Sequence, residues 1–309
     1  AIPFEILNYH SESRNFGINF LRYQNRTDEL SHWADVTPQS KPEEMGVLSG
    51  LELPDIGKQQ PWTFMPYALA GKNIPNIKGE QDNQWAYAGA NIRYEPFPNV
   101  TGVASIFPDF SQLEAQITDI DFSYTEKYRS DPRPFFQEGS AYFENEKNRS
   151  YFYSNRVPDF YVGGKLFSQI GNNATGGFLT WAPDDSQDGV FRLMNEIDAR
   201  HSAGIMLVAT QSKDLDNQLV VVQIEGREPS GLFYATDLAY SNTEKRDFDA
   251  GGTATGSLGW EGDYWTVKGS SDYYDKEYFP ANGLIEEDRY GTKSLNASMS
   301  YYKQPAEGL

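Results

Sequence analysis

The sequence predicts an all-β protein made of short antiparallel strands, and three observations predict it. Apolar and polar residues alternate one for one through run after run of strand length. Aromatics make up 15% of the chain, with 20 Tyr and 19 Phe, and so carry much of its hydrophobic content. Helical periodicity is almost absent, and the best helical candidate is FSQLEAQ at 110–116. Alternation places every apolar side chain on one face of a strand, and aromatic residues suit that pleated surface.

Length and composition narrow the class further. A chain of 309 residues can bury a large β domain. With no cysteine it has neither a disulfide scaffold nor thiolate metal sites. No run of 18 apolar residues exists, which excludes a helical membrane span; a transmembrane β-barrel stays open, because its strands are only half apolar. A net charge of −18 excludes a nucleic-acid partner, which needs clustered Lys and Arg.

The elements follow in order. Ala1 to Leu7 reads as a strand, and Asn15 to Tyr23 as another with Phe16, Ile18 and Phe20 on one face. The polar segment from Gln24 to Pro42, containing Trp33 and ending in Pro38 and Pro42, marks a domain boundary. From Trp62 onward, strand runs alternate with turn clusters: WTFMPYALAG, QWAYAGANIRYE, VTGVASIF, DFYVGGKLFSQIG, GFLTWAP, VFRLMNEIDAR, SAGIMLVATQS, QLVVVQIEG, GLFYATDLAYS, GGTATGSLGWEG, DYWTVKGSSDYY and TKSLNASMSYYKQ. Between Asp119 and Thr125, Ile120, Phe122 and Tyr124 alternate with acids and hydroxyls and read as a further strand. No visible signal peptide precedes AIPFEIL.

Two of these runs bear on what the faces touch. In VFRLMNEIDAR, Phe191, Leu193 and Ile197 oppose Arg192, Glu196 and Asp198. A dry core facing that charged row would cost far too much, whereas water or a wet barrel lumen suits it. In the last run, Leu295, Ala297, Met299 and Tyr301 oppose Asn296, Ser298 and Ser300. Periodicity alone leaves two alternatives, a membrane barrel and a soluble sandwich.

Site chemistry is sparse. His10, His32 and His201 lack partners at ligand spacing, so no metal site is expected. DDSQDG at 184–189 has a loose likeness to a calcium loop but lacks the closing Glu, and reads as a polar hairpin. Glu114, Asp119, Asp121, Glu138 and Glu144 supply acids, yet no pair stands out as a glycosidase couple. Trp33, Trp62, Trp85 and Trp181 could stack on sugar rings, though such residues more often belong to a core or an aromatic girdle. No nucleotide or nucleophile-elbow motif is present, and no cofactor is expected. Arg133 and Glu138 bracket a Phe pair and a Gly, which predicts a compact turn with the two charges paired.

The wording FPDFSQLEAQ (107–116), RPFFQEGSAYF (133–143) and YSNRVPDF (153–160) resembles a family of bacterial outer-membrane proteins. IPFEIL, NFGINFLRYQNRTDELSHW and YFPANGLIEEDRYGTKSL look like the same family. Its members carry an N-terminal domain like carbohydrate-binding family nine, then a β-barrel region classed as a domain of unknown function. The resemblance implies that 1–38 is the tail of a carbohydrate-binding-like sandwich and 39–309 an antiparallel up-and-down transmembrane barrel. It also implies that the chain is an internal piece of a longer protein, which leaves closure open. Pro108, Asp109, Phe110, Gln112, Glu114, Arg133, Pro134, Phe135, Phe136, Glu138 and Gly139 carry its motifs in structural roles. The expected place is the bacterial outer membrane, the expected partners the lipid bilayer and a saccharide. The expected role is non-enzymatic: envelope transport, anchoring or saccharide handling. The competing reading is a soluble secreted carbohydrate-active enzyme or binding protein. In that case another layer would cover the apolar strand faces.

Overall fold

The fold is given by a computed structural model that describes residues 15–24, 26, 29–33, 46–50, 61–73, 83–97, 99–108, 128–129, 131–144, 148–244, 249–262, 264–285 and 287–301. The chain divides into two units, 1–60 and 61–309.

In the first unit, β1 (Asn15–Ile18) pairs with β4 (Gly46–Ser49), and β2 (Leu21–Gln24) with β3 (Glu29–His32). The single strand predicted over 15–23 is thus two strands with different partners. The break lies at Asn19, whose side-chain oxygen accepts the Phe20 N–H at 2.9 Å and competes with a ladder bond. The strand predicted over 1–7 lies outside the described residues.

The second unit is one antiparallel sheet of twelve strands in strict up-and-down order. They are β5 (Trp62–Asn73), β6 (Asn83–Phe97), β7 (Val100–Ile106), β8 (Val162–Ile170), β9 (Asn173–Trp181), β10 (Gln187–Asp198), β11 (His201–Gln211), β12 (Asp216–Arg227), β13 (Leu232–Glu244), β14 (Gly251–Glu261), β15 (Trp265–Tyr274) and β16 (Lys293–Tyr301). Each overlaps a run read from the sequence, but β10 begins at Gln187, inside the DDSQDG segment read as a hairpin, and β9 begins at Asn173, four residues before GFLTWAP. β5 and β16 pair on one side only, so the described sheet is open at both edges. The runs at 110–116 and 119–125 lie outside the described residues.

The connections are asymmetric. At one end of the sheet, strands join through 98–99, 171–172, 199–200, 228–231 and 262–264. At the other, they join through 74–82, 107–161, 182–186, 212–215, 245–250 and 275–292. Both β5 and β16 have their outer termini at the short-turn end.

The two faces differ just as sharply. On one face Leu166, Leu179, Phe191, Leu207, Val220, Val222 and Leu238 are exposed, Leu179 to 54%. The other face bears Lys165, Phe178, Asp188, Val190, Met206, Leu219, Val221, Ser241 and Thr253, all buried. What buries them is chain from the two longest connections. One contains a one-turn α-helix, α1 (Pro134–Gln137), and two 3-10 turns, Ser140–Tyr142 and Ser154–Arg156. The core therefore lies between the sheet and this added layer, on the inner face alone.

Candidate functional site

The layer over the inner face is the candidate site, and its hub is Arg133. The guanidinium grips Asp131 through Nε to Oδ1 at 3.0 Å and Nη2 to Oδ2 at 2.7 Å. It also donates to the carbonyls of Val157 at 2.8 Å and Ser154 at 2.6 Å, and stacks 4.3 Å from the Phe136 ring centre. A planar fork with five donors is the one side chain that can serve so many acceptors at once. One buried residue thereby ties 131–137 to 154–158.

The pairing predicted from sequence is corrected here. Arg133 is bound to Asp131, and Glu138 instead meets Arg93 of β6 at 2.8 Å. Pro134 at the first position starts the α1 turn, where its missing N–H is no loss; the chain then turns away, aiming Glu138 at the wall.

Aromatics fill the space beneath. Phe135, Phe136, Phe143 and Phe152 surround Phe178 of β9 with ring centres 5.4 to 6.3 Å apart. The motif glycine has a steric reason. Gly139 has φ 66° and a side chain there would meet the Phe167 ring at 2.7 Å. Gly163 lies directly under Phe160 and Phe135, with only 2.6 Å to spare for a β-carbon. Lys165 of β8, buried beside them, donates its Nζ to the carbonyls of Phe135 and Glu138 and so fastens α1 to the wall. Tyr151 reaches Asp237 of β13 at 3.1 Å; burial pushes its hydroxyl well above the ordinary tyrosine range.

The second connection is held differently. Asn217 of β12 donates to the Phe279 carbonyl at 2.7 Å and accepts the Ala281 N–H at 3.1 Å. Ser241 of β13 accepts the Phe279 N–H at 2.9 Å. Asn282 donates to Asp188 of β10 and Thr210 of β11, both at 2.7 Å. The two connections also bond each other, Tyr153 N–H to the Asn282 carbonyl at 2.6 Å and Leu284 N–H to the Arg149 carbonyl at 2.9 Å.

Apolar burial is uneven between them. The first connection buries Phe135, Phe136, Phe143, Tyr151, Phe152, Val157 and Phe160. At about 1.5–3 kcal/mol per large side chain, lifting it away would cost more than about 10 kcal/mol. From the second, among the described residues, Tyr278 joins the buried core cluster, Ile285 and Tyr290 pack against it partly buried, and Pro280 is buried.

Of the sequence-predicted residues, Arg133, Phe135, Phe136, Glu138 and Gly139 converge on this layer, with Pro134 exposed at its rim. Pro108 follows β7 at the same end of the sheet. Asp109, Phe110, Gln112 and Glu114 lie outside the described residues. Sequence reading missed Asp131, Lys165, Asp188, Asn217 and Asn282. Only Lys165 carries a local signal, a lone charge between Gly163 and Phe167 on the inner parity of its strand. His201 sits by a short turn against Asp198 at 2.8 Å. Among the described residues no group of three or more His, Asp or Glu is arranged to hold a metal ion.

Comparison with known proteins gives a partial match. A family model described as a domain of unknown function (DUF5916) matches residues 62–174. No curated protein sequence matches the chain. Similar solved structures include OmpT of Vibrio cholerae in its trimer form, an outer membrane protein folded in vitro. It is 10% identical over 78% of this chain and 98% of that one, with a TM-score of 0.28. Outer-membrane-expressed OmpT of Vibrio cholerae is 9% identical over 80% and 100%, with a TM-score of 0.27. The P. putida toluene transporter TodX is 9% identical over 84% and 72%, with a TM-score of 0.21.

Proposed function

We propose that residues 61–309 form the wall of an outer-membrane β-barrel. The inner face lines its lumen, and a layer of the protein's own chain narrows that lumen. One observation carries the reading: apolar side chains stand uncovered on the outer face, while the polar, charged and covered side chains gather on the inner one. Exposed aromatics flank the apolar belt at both ends, Phe107, Tyr161, Trp181 and Tyr273 at one, Trp62, Phe97, Trp260, Trp265 and Tyr301 at the other. Such girdles mark the two membrane interfaces. Strands β8 to β16 run from 9 to 13 residues, against the roughly 9–11 that a tilted membrane strand needs.

The turn asymmetry supports an orientation. Barrels of this kind have short periplasmic turns and long outer loops, so the layer-bearing end faces outward from the cell. The role is non-enzymatic passage or anchoring at the envelope, with a saccharide as candidate cargo. Residues 1–38, by the family resemblance, belong to a carbohydrate-binding-like sandwich.

Quenching of tryptophan fluorescence by brominated lipid tests the reading. Inserted protein should be quenched, because Trp181, Trp260 and Trp265 stand on the outer face near the acyl boundary. Fluorescence untouched by brominated lipid would remove the outer face from the bilayer.

A further inference from the structure

The two connections that cover the inner face are built for opposite behaviour, and we infer that residues 275–285 are the movable gate of the lumen while the layer built on Arg133 is its fixed frame. This rests on reading the inner face as a lumen. The frame is held by aromatic burial and by a guanidinium whose acceptors are all in place. The gate is held chiefly by polar contacts from four wall strands, through Asp188, Thr210, Asn217 and Ser241. Water can replace those bonds when the segment lifts, whereas nothing replaces buried aromatic area.

The gate's largest buried side chain is also imperfectly placed. Tyr278 is fully buried, yet among the described residues its hydroxyl has no hydrogen-bond partner. A buried hydroxyl left without a partner disfavours the closed arrangement, and lifting the segment returns it to water. Beneath, the backbone at Tyr278 rests on Gly251, where a β-carbon would come within 2.2 Å. Contact is close there without interlocking side chains. Segments with few buried apolar contacts and many replaceable hydrogen bonds are those that open locally.

The chain has no native cysteine, so single thiols report opening cleanly. Ser241→Cys lies under the gate; Ser105→Cys lies on the frame's side, across the ladder from Gly163 and three strands from Asp188. Both native positions are buried. With the full chain folded in detergent micelles, a water-soluble maleimide should label Ser241→Cys about tenfold faster than Ser105→Cys. Adding Asn282→Ala should raise the Ser241→Cys rate about tenfold again and leave Ser105→Cys unchanged. Adding Tyr278→Phe, which removes the orphan hydroxyl and preserves packing, should slow it. Equal labelling at the two sites would overturn the proposal, as would a Ser241→Cys rate indifferent to both second changes. Heat-dependent gel mobility of the same samples reports separately whether the wall has folded as a barrel, so the two readings fail independently.

Discussion

Arg133 and Asp131, two residues apart, form a buried bidentate pair, with Nη2 2.7 Å from Oδ2 and both side chains at most 7% exposed. Removing one partner of such a pair leaves the other charge stranded. Arg133→Met should therefore cost about 3–5 kcal/mol, read as a lower urea midpoint. Arg133→Lys should recover little, because an ammonium cannot serve Asp131 and the Val157 and Ser154 carbonyls together.

Lys165 should matter through the carbonyls it binds. Lys165→Met keeps the stem but strands the Phe135 and Glu138 carbonyls beneath the layer. A loss of about 2 kcal/mol is expected, with 131–144 becoming the first segment cut in limited proteolysis. An unchanged cleavage pattern would mean that the aromatics alone hold α1.

The strands could be read from the sequence because period-two alternation is a local property. Twelve runs are visible, but the charged row of Arg192 and Glu196 says nothing of the rest of that face, where Phe178, Val190 and Met206 are buried in an apolar core. The covering layer could not be read, because its bonds join distant residues. Asn282 finds Asp188 across 94 positions, and no pattern within a strand announces that. The motif RPFFQEG lies in the covering layer, yet proximity in sequence suggests the wrong ion pair, since the fold brings Arg93 to Glu138 and Asp131 to Arg133. Closure stays beyond sequence for a similar reason: it depends on which edges meet.

Alkaline pH should loosen the layer. Burial raises the Tyr151 hydroxyl above its ordinary value of 10.0, and Tyr278 moves the same way. In the unfolded chain both hydroxyls ionise near pH 10. Their contribution is fully present below that pH and is lost as pH rises above it. Thermal midpoints should thus be level from neutrality to about pH 10 and then fall. Tyr151→Phe with Tyr278→Phe should flatten that fall.

Charge on the outer face separates the membrane reading from the soluble one. Leu238, at the midpoint of β13 and on the same face, is 53% exposed, so in a water-soluble protein Leu238→Lys should be nearly neutral. On a lipid-facing wall the same change should cost about 2–4 kcal/mol near the bilayer middle. Urea titration of protein folded in liposomes distinguishes the two.

The most direct measurement is gel mobility with and without boiling, after refolding the chain in detergent micelles and, in parallel, in plain buffer. A membrane wall predicts a β-rich species that forms only in detergent and whose mobility changes on boiling. A monomer that folds cooperatively in plain buffer, with mobility indifferent to heat, would contradict it.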